Sequence, residues 1–132
     1  MIYLDSAAVV KLVHAESDSQ TLRAWLAARA DVDWVSSVLL EVESFRVLAR
    51  YSRESAGRLP PVLDLIELVE LGPEIRIRAQ TVSLATVRSL DAIHVATAVQ
   101  LGGQLTSFVT YDKRLADAAA AAGLTVDMPV AR

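Results

Sequence analysis

Met1-Ile2-Tyr3-Leu4-Asp5-Ser6-Ala7-Ala8-Val9-Val10-Lys11 passes from four residues of strand character to an acid, a small polar residue and an apolar helical run. A strand buried on both faces reads as a short apolar run, whereas a half-exposed strand alternates. The segment therefore predicts a parallel strand with Asp5 just past its C-terminal end, at the start of a helix. In open parallel sheets that edge is where ligands bind. The other acids matter according to whether they gather there.

Downstream, residues 6–14 repeat apolar positions at helical spacing, and Ser17 or Asp18 is the expected cap of a second helix reaching Arg29. Strand character returns over Val32 to Ser36. Ser36 and Ser37 then cap a helix from about Val38 to Ser52, with Val38, Val42, Phe45 and Ala49 on its apolar face. Pro60-Pro61 suits the first turn of another helix, running through Leu63 and Ile66 toward a short strand at Leu68 to Leu71. After Gly72-Pro73, a helix of mixed character covers about Glu74 to Ala85. Ser89 caps a helix from Leu90 to Leu101 that is apolar nearly all round, and so should be buried. Gly102-Gly103 ends it. Leu105 to Val109 reads as a strand, Asp112 to Ala122 as an alanine-rich helix, and Leu124 to Val126 as a last strand.

Strands alternating with helices through short connections imply a three-layer α/β/α sandwich with a central, mostly parallel sheet of four to five strands. Helices outnumber strands, so several crossovers hold two helices. With 132 residues and no internal repeat or linker, the expectation is one domain over 1–132. Hydrophobic residues make up 53% and charged residues 22%, which excludes a disordered chain. The apolar runs are shorter than the roughly 18 residues of a membrane span. The apolar start reads as strand and not as a leader, and the lack of cysteine suits a reducing compartment. The expectation is a soluble cytoplasmic protein. Net charge is −3 and the pI 5.3. Binding nucleic acid would need a local basic stripe or a metal ion.

Taken singly, the acids have ordinary roles. Asp5 and Asp112 are helix caps, each worth about 1 kcal/mol. Asp91 lies in a first helical turn, where the helix dipole favours a carboxylate. Together they are harder to dismiss. Asp5 and Asp112 both follow strands at one sheet edge, and Asp91 is tethered to a buried helix. Converging carboxylates resist ionisation unless a cation lies between them. Hard oxygen ligands suit Mg²⁺ or Mn²⁺, and such an ion can hold phosphate and activate water. A fourth acid comes from the Val38–Ser52 helix, where Glu41 and Glu43 flank the apolar face on opposite sides. Glu43 shares its flank with Arg46 and Arg50, and periodicity does not choose between the two glutamates.

Other candidates are weaker. His94 follows Asp91 by one turn and reads as a packed core residue, and His14 as a helix-end cation. No glycine-rich phosphate loop is present. Lys11, Arg46, Arg50, Arg53, Arg58, Arg88, Lys113 and Arg114 could form a phosphate-binding stripe. Trp25 and Trp34 read as core or interface.

Three segments, Leu4-Asp5-Ser6-Ala7, Ser89-Leu90-Asp91-Ala92-Ile93-His94-Val95-Ala96-Thr97-Ala98 and Thr110-Tyr111-Asp112-Lys113-Arg114-Leu115, resemble the signatures of PIN-domain nucleases, nearest to VapC toxins of toxin–antitoxin pairs. The likeness spans essentially the whole chain. That family carries a glutamate in its third helix, often with Arg three residues on, which favours Glu43 with Arg46 over Glu41. The resemblance implies a metal-dependent endoribonuclease in which Asp5, Glu43, Asp91 and Asp112 gather around one or two Mg²⁺ or Mn²⁺ ions. Thr110 and Ser6 would be polar support and Asp117 an outer acid. Lys11, Arg46, Arg50 and Lys113 are RNA-contact candidates. It also implies a homodimer and a cognate antitoxin.

Three rivals remain. A haloacid-dehalogenase-type phosphatase needs a second Asp two residues after Asp5, where Ala7 stands. A response-regulator receiver needs paired acids after the first strand and an acceptor Asp after the third, and Asp5-Ser6 and Leu71-Gly72 supply neither. A protein-interaction module would use the acids only as caps, and would gain no saturable stabilisation from divalent ions.

Overall fold

The computed structural model describes residues 1–82 and 87–131. Five strands, β1 (Ile2–Leu4), β2 (Trp34–Ser37), β3 (Ile66–Val69), β4 (Ser107–Val109) and β5 (Val126–Asp127), form one sheet in the order β3-β2-β1-β4-β5. Every pairing is parallel, with Tyr3 beside Val35 on one flank and Phe108 on the other. The connections hold α1 (Ser6–Val13) and α2 (Ser19–Ala27), then α3 (Leu39–Tyr51), α4 (Arg53–Gly57) and α5 (Leu59–Leu63), then α6 (Pro73–Ala79) and α7 (Ser89–Leu101), and finally α8 (Lys113–Ala121).

Successive strand residues point to opposite faces, and β1 shows why both faces are covered. Ile2 and Leu4 join a core with Val9, Val13, Leu22, Leu40 and Leu48 from α1, α2 and α3. Tyr3 joins a second core with Val95, Phe108, Leu115 and Ala119, from α7, β4 and α8. The sandwich is thus α/β/α, as the apolar run of β1 predicts. α7 is buried from Ala92 through Ala98 apart from Ile93, also as expected. Because β2 and β3 lie on one side of β1 and β4 on the other, the strand order reverses at β1. Open sheets form their ligand crevice at such a reversal.

Several local expectations shift. The inward face of α3 is Leu40, Ser44 and Leu48, while Val42 is 62% exposed and Phe45 52% exposed. α3 packs on α1, and the small Ser44 permits close approach because its hydroxyl is satisfied by the Leu40 carbonyl. The more apolar stripe was the wrong guide because side-chain bulk decides which face can meet a neighbouring helix. Between β2 and β3 an extra short helix, α4, is capped by Ser52, and α5 stops at Leu63, which starts β3 two residues early. Gly102, at φ 57, opens a 3-10 turn over Gly102–Gln104 that delays β4 to Ser107, and β5 begins at Val126. Arg88, and not Ser89, holds the cap position of α7. α6 ends at Ala79, and the part of its expected span over 83–85 lies outside the described residues.

Candidate active site

Asp5 follows β1, Glu43 lies on α3 after β2, Asp91 is in the first turn of α7 and Asp112 precedes α8 after β4. These four segments meet in one cavity of about 310 Å³, which Ser6, Arg88 and His94 also line. A larger hollow of about 440 Å³ sits near Trp34 at the opposite edge of the sheet, lined mostly by apolar residues.

Asp5 is 3% exposed. It caps α1, its Oδ1 accepting from the Ala8 N–H at 2.9 Å, while its Oδ2 accepts from the Thr110 hydroxyl. Burial pushes its pKa up to about 6, against the lowering effect of those two bonds. Thr110 Oγ1 also accepts from the Asp112 N–H at 3.0 Å, so one hydroxyl ties the ends of β1 and β4 together. Asp112 caps α8 through Oδ1, which accepts from the backbone N–H of Arg114 at 2.9 Å and of Leu115 at 3.3 Å.

Glu43 is positioned from behind. The Ser37 N–H donates to the Tyr3 hydroxyl at 3.2 Å, and that hydroxyl lies 2.6 Å from His94 Nδ1. Burial holds the Tyr3 hydroxyl protonated by raising its pKa far above the usual value. A carboxylate only accepts, so His94 Nε2 carries a hydrogen and donates it to Glu43 Oε1 at 2.6 Å. Such a carboxylate–histidine contact fixes the orientation of a ligand carboxylate. His94 is 1% exposed, a core residue as its sequence setting predicts, and it also orients Glu43. Its spacing of three from Asp91, plain in the sequence, puts both on one helix face, but the contact with Glu43 spans 51 residues and arises only from the fold.

On the open side of the cavity, Arg88 donates through Nε to Asp91 Oδ2 at 3.0 Å and through Nη2 to Asp112 Oδ2 at 2.9 Å. Among the described residues, no three acidic or histidine side chains stand ready to hold a metal ion together. The donor set nevertheless fits a hard cation. It is all oxygen, Asp5 is desolvated, and Arg88 already stands as a cation between two of the acids. Glu43 Oε2 and Asp91 Oδ1 have no hydrogen-bond partner among the described residues.

The other candidates scatter. Ser6 lines the cavity, whereas Asp117 is exposed on α8 outside its lining. Arg46, Arg50 and Lys113 are exposed. Lys11 is buried, pairing with Glu16 at 3.5 Å and lying 4.7 Å from the centre of the Tyr111 ring. Glu41 is exposed and takes no part.

Comparison with known proteins shows the family and the fold. The PIN domain family model matches residues 2–121. Ribonuclease VapC35 of Mycobacterium tuberculosis is 42% identical over 131 residues, covering 98% of this chain and 97% of that protein. The crystal structure of M. tuberculosis VapC20, a Sarcin-Ricin loop cleaving toxin, superposes with a TM-score of 0.78 at 15% identity, covering 98% of this chain and all of that one (100%). A toxin–antitoxin complex from Klebsiella pneumoniae gives 0.72 at 18% identity, with 100% of both chains covered. The family resemblance of the three sequence segments and the five-stranded sheet lead to one conclusion: the chain belongs to the PIN-domain family, among the VapC proteins.

Proposed function

We propose that the protein is a divalent-metal-dependent endoribonuclease and the toxin of a toxin–antitoxin pair. One observation carries this: four carboxylates from four separate segments line a single cavity at the carboxyl edge of a parallel sheet. The relatives' names, ribonuclease and toxin, support the substrate class and the setting. Asp5, Glu43, Asp91 and Asp112 would hold the ion, and Mg²⁺, with Mn²⁺ as a substitute, suits an all-oxygen set. Bound there, the ion supplies Lewis acidity and an activated water for attack on the scissile phosphorus.

The chain's own residues do the positioning. Thr110 holds Asp5 in line with the switch point, and the Ser37–Tyr3–His94 relay presents Glu43. The burial of Asp5 makes its bare charge costly, which favours capture of a cation. In-line attack by that water would break the bond from phosphorus to the 3′ oxygen, which departs as the 3′-hydroxyl, so the products would carry 5′-phosphates without using the RNA 2′-hydroxyl. The exposed Arg46, Arg50 and Lys113 are the cations offered to the RNA backbone. The buried Lys11 is not.

The exposed stripe of Val42 and Phe45 on α3 is the surface a second copy would cover in a homodimer. An antitoxin is the expected inhibitor, by analogy with the toxin–antitoxin neighbour. A cytoplasmic site of action is the setting that an RNA substrate and an antitoxin partner imply; no helix among the described residues is long and apolar enough to cross a membrane.

A purely structural role for the acids draws on real bonds, since Asp5 and Asp112 do cap helices. Capping does not explain why Glu43 is held by a buried histidine, nor why Asp5 is drawn into the interior. The test is cleavage of RNA by purified protein in Mg²⁺, with the cut ends sequenced. Folded Asp5→Asn protein should lose at least about 100-fold in rate, the scale of losing one group that stabilises transition-state charge. Near wild-type cleavage by that variant would refute the proposal.

A further inference from the structure

Arg88 has no part in the reaction described above, yet among the described residues it is the one permanently charged side chain paired with any of the four carboxylates. Its guanidinium spans Asp91 and Asp112 with bonds of 3.0 and 2.9 Å, joining α7 to the start of α8. The fork geometry of a guanidinium suits two carboxylate oxygens at once. The decisive detail is at Asp112. Its Oδ1 is committed to capping α8, so Oδ2 is the oxygen left for a cation, and Arg88 occupies it. An arginine and a divalent ion cannot both take that oxygen in full.

Exposure makes the contact reversible. The Arg88 side chain is 65% exposed, against 13% for Asp91 and 32% for Asp112. It can swing into water without opening a cavity or stranding a buried charge, which a buried ion pair could not do. Its backbone is anchored by the Ala92 N–H donating to the Arg88 carbonyl at 2.9 Å, so only the side chain need move.

We propose that Arg88 is a displaceable counter-ion. It neutralises Asp91 and Asp112 when no divalent ion is bound, and gives up Asp112 Oδ2 when one binds. Arg88 thereby sets the affinity for metal below what the acids alone would give. It also leaves a guanidinium free at the mouth of the cavity once metal is in place. This rests on the metal-dependent reading of the site.

The test is calorimetric titration of Mn²⁺ into wild-type protein, Arg88→Ala, Arg88→Gln and Lys113→Ala, in the absence of RNA. Arg88→Ala and Arg88→Gln should bind Mn²⁺ about fivefold more tightly than wild type, the size one partly exposed charge-assisted bond supplies. Lys113→Ala removes an exposed neighbouring cation and should change affinity by less than about twofold. An Arg88 that merely braced the site would give the opposite sign, since both Arg88 variants would bind metal more weakly. Unchanged or weaker binding in both Arg88 variants, with wild type binding normally, overturns the exchange alone. Equal gains from Lys113→Ala and Arg88→Ala overturn it too, because general charge would then suffice. No saturable binding by any of the four proteins overturns the metal-dependent reading itself.

Discussion

The two halves of the acidic cavity are built on different principles. Asp5 and Glu43 are held by donors that carry no permanent charge: a backbone N–H, a threonine hydroxyl and a histidine N–H braced by a tyrosine. Asp91 and Asp112 are held by a guanidinium that is itself mostly in water. Uncharged donors fix direction and leave the negative charge in place. A cation cancels the charge but holds it loosely when solvent competes. The inner half is therefore preorganised and electrically demanding, and the outer half is neutralised and adjustable. Under the proposed function the cleft would accept both an ion and a polyanion, and it has use for each half.

Substitutions separate the halves. The largest effect should come from His94→Ala, which strands Glu43 and the Tyr3 hydroxyl and empties buried volume. Urea unfolding should show a loss of about 3 kcal/mol, and metal affinity should fall by about 10- to 100-fold. A loss under 1 kcal/mol (~) would mean the relay does not hold the inner half.

Next is pH. Asp5 has a folded pKa of about 6, above the roughly 3.9 of an unfolded aspartate. Between those values the folded chain binds more protons than the unfolded one. Stability of the metal-free protein should therefore fall as pH rises from about 4 to about 6, then level off, by on the order of 2–3 kcal/mol. Asp5→Asn has no charge to desolvate. Subtracting its melting profile from that of wild type isolates the fall that belongs to Asp5. Parallel profiles for the two proteins would contradict the burial of an uncompensated charge.

Tyr3→Phe keeps the stacked contact with Phe108, whose ring centre lies 4.9 Å away, and removes only the hydroxyl. It should cost about 1–2 kcal/mol in thermal or urea melts. Metal affinity should drop by about tenfold as the His94 ring loses its lock. Smallest of all, Asp112→Asn retains a good helix cap and loses a partly exposed pair. Without metal it should stay within about 1 kcal/mol of wild type. A loss as large as that of His94→Ala would erase the distinction between the halves.

The sequence made the sheet and its edge readable because β1 is apolar on both faces and Asp5 ends it. The same logic located Asp112 after β4 and Asp91 on an all-apolar helix. It failed on α3, where Val42 and Phe45 outweigh Ser44 in hydrophobicity but not in fit against α1. Arg88 stayed hidden among eight scattered cations, since its partner Asp112 is 24 residues away and only the topology brings them together. His94 read as a core residue, and it is one. That a core residue also aims Glu43 depends on Tyr3 and Ser37, from two other strands, which no local pattern connects.

The most direct measurement is Mn²⁺ titration of wild type beside Asp5→Asn, Glu43→Gln, Asp91→Asn and Asp112→Asn, each checked for folding by circular dichroism. If one ion draws on both halves of the cavity, wild type binds saturably and each substitution weakens binding by about tenfold or more. Wild-type affinity retained in the folded Asp5→Asn and Asp112→Asn variants would show that the acids meet without sharing an ion.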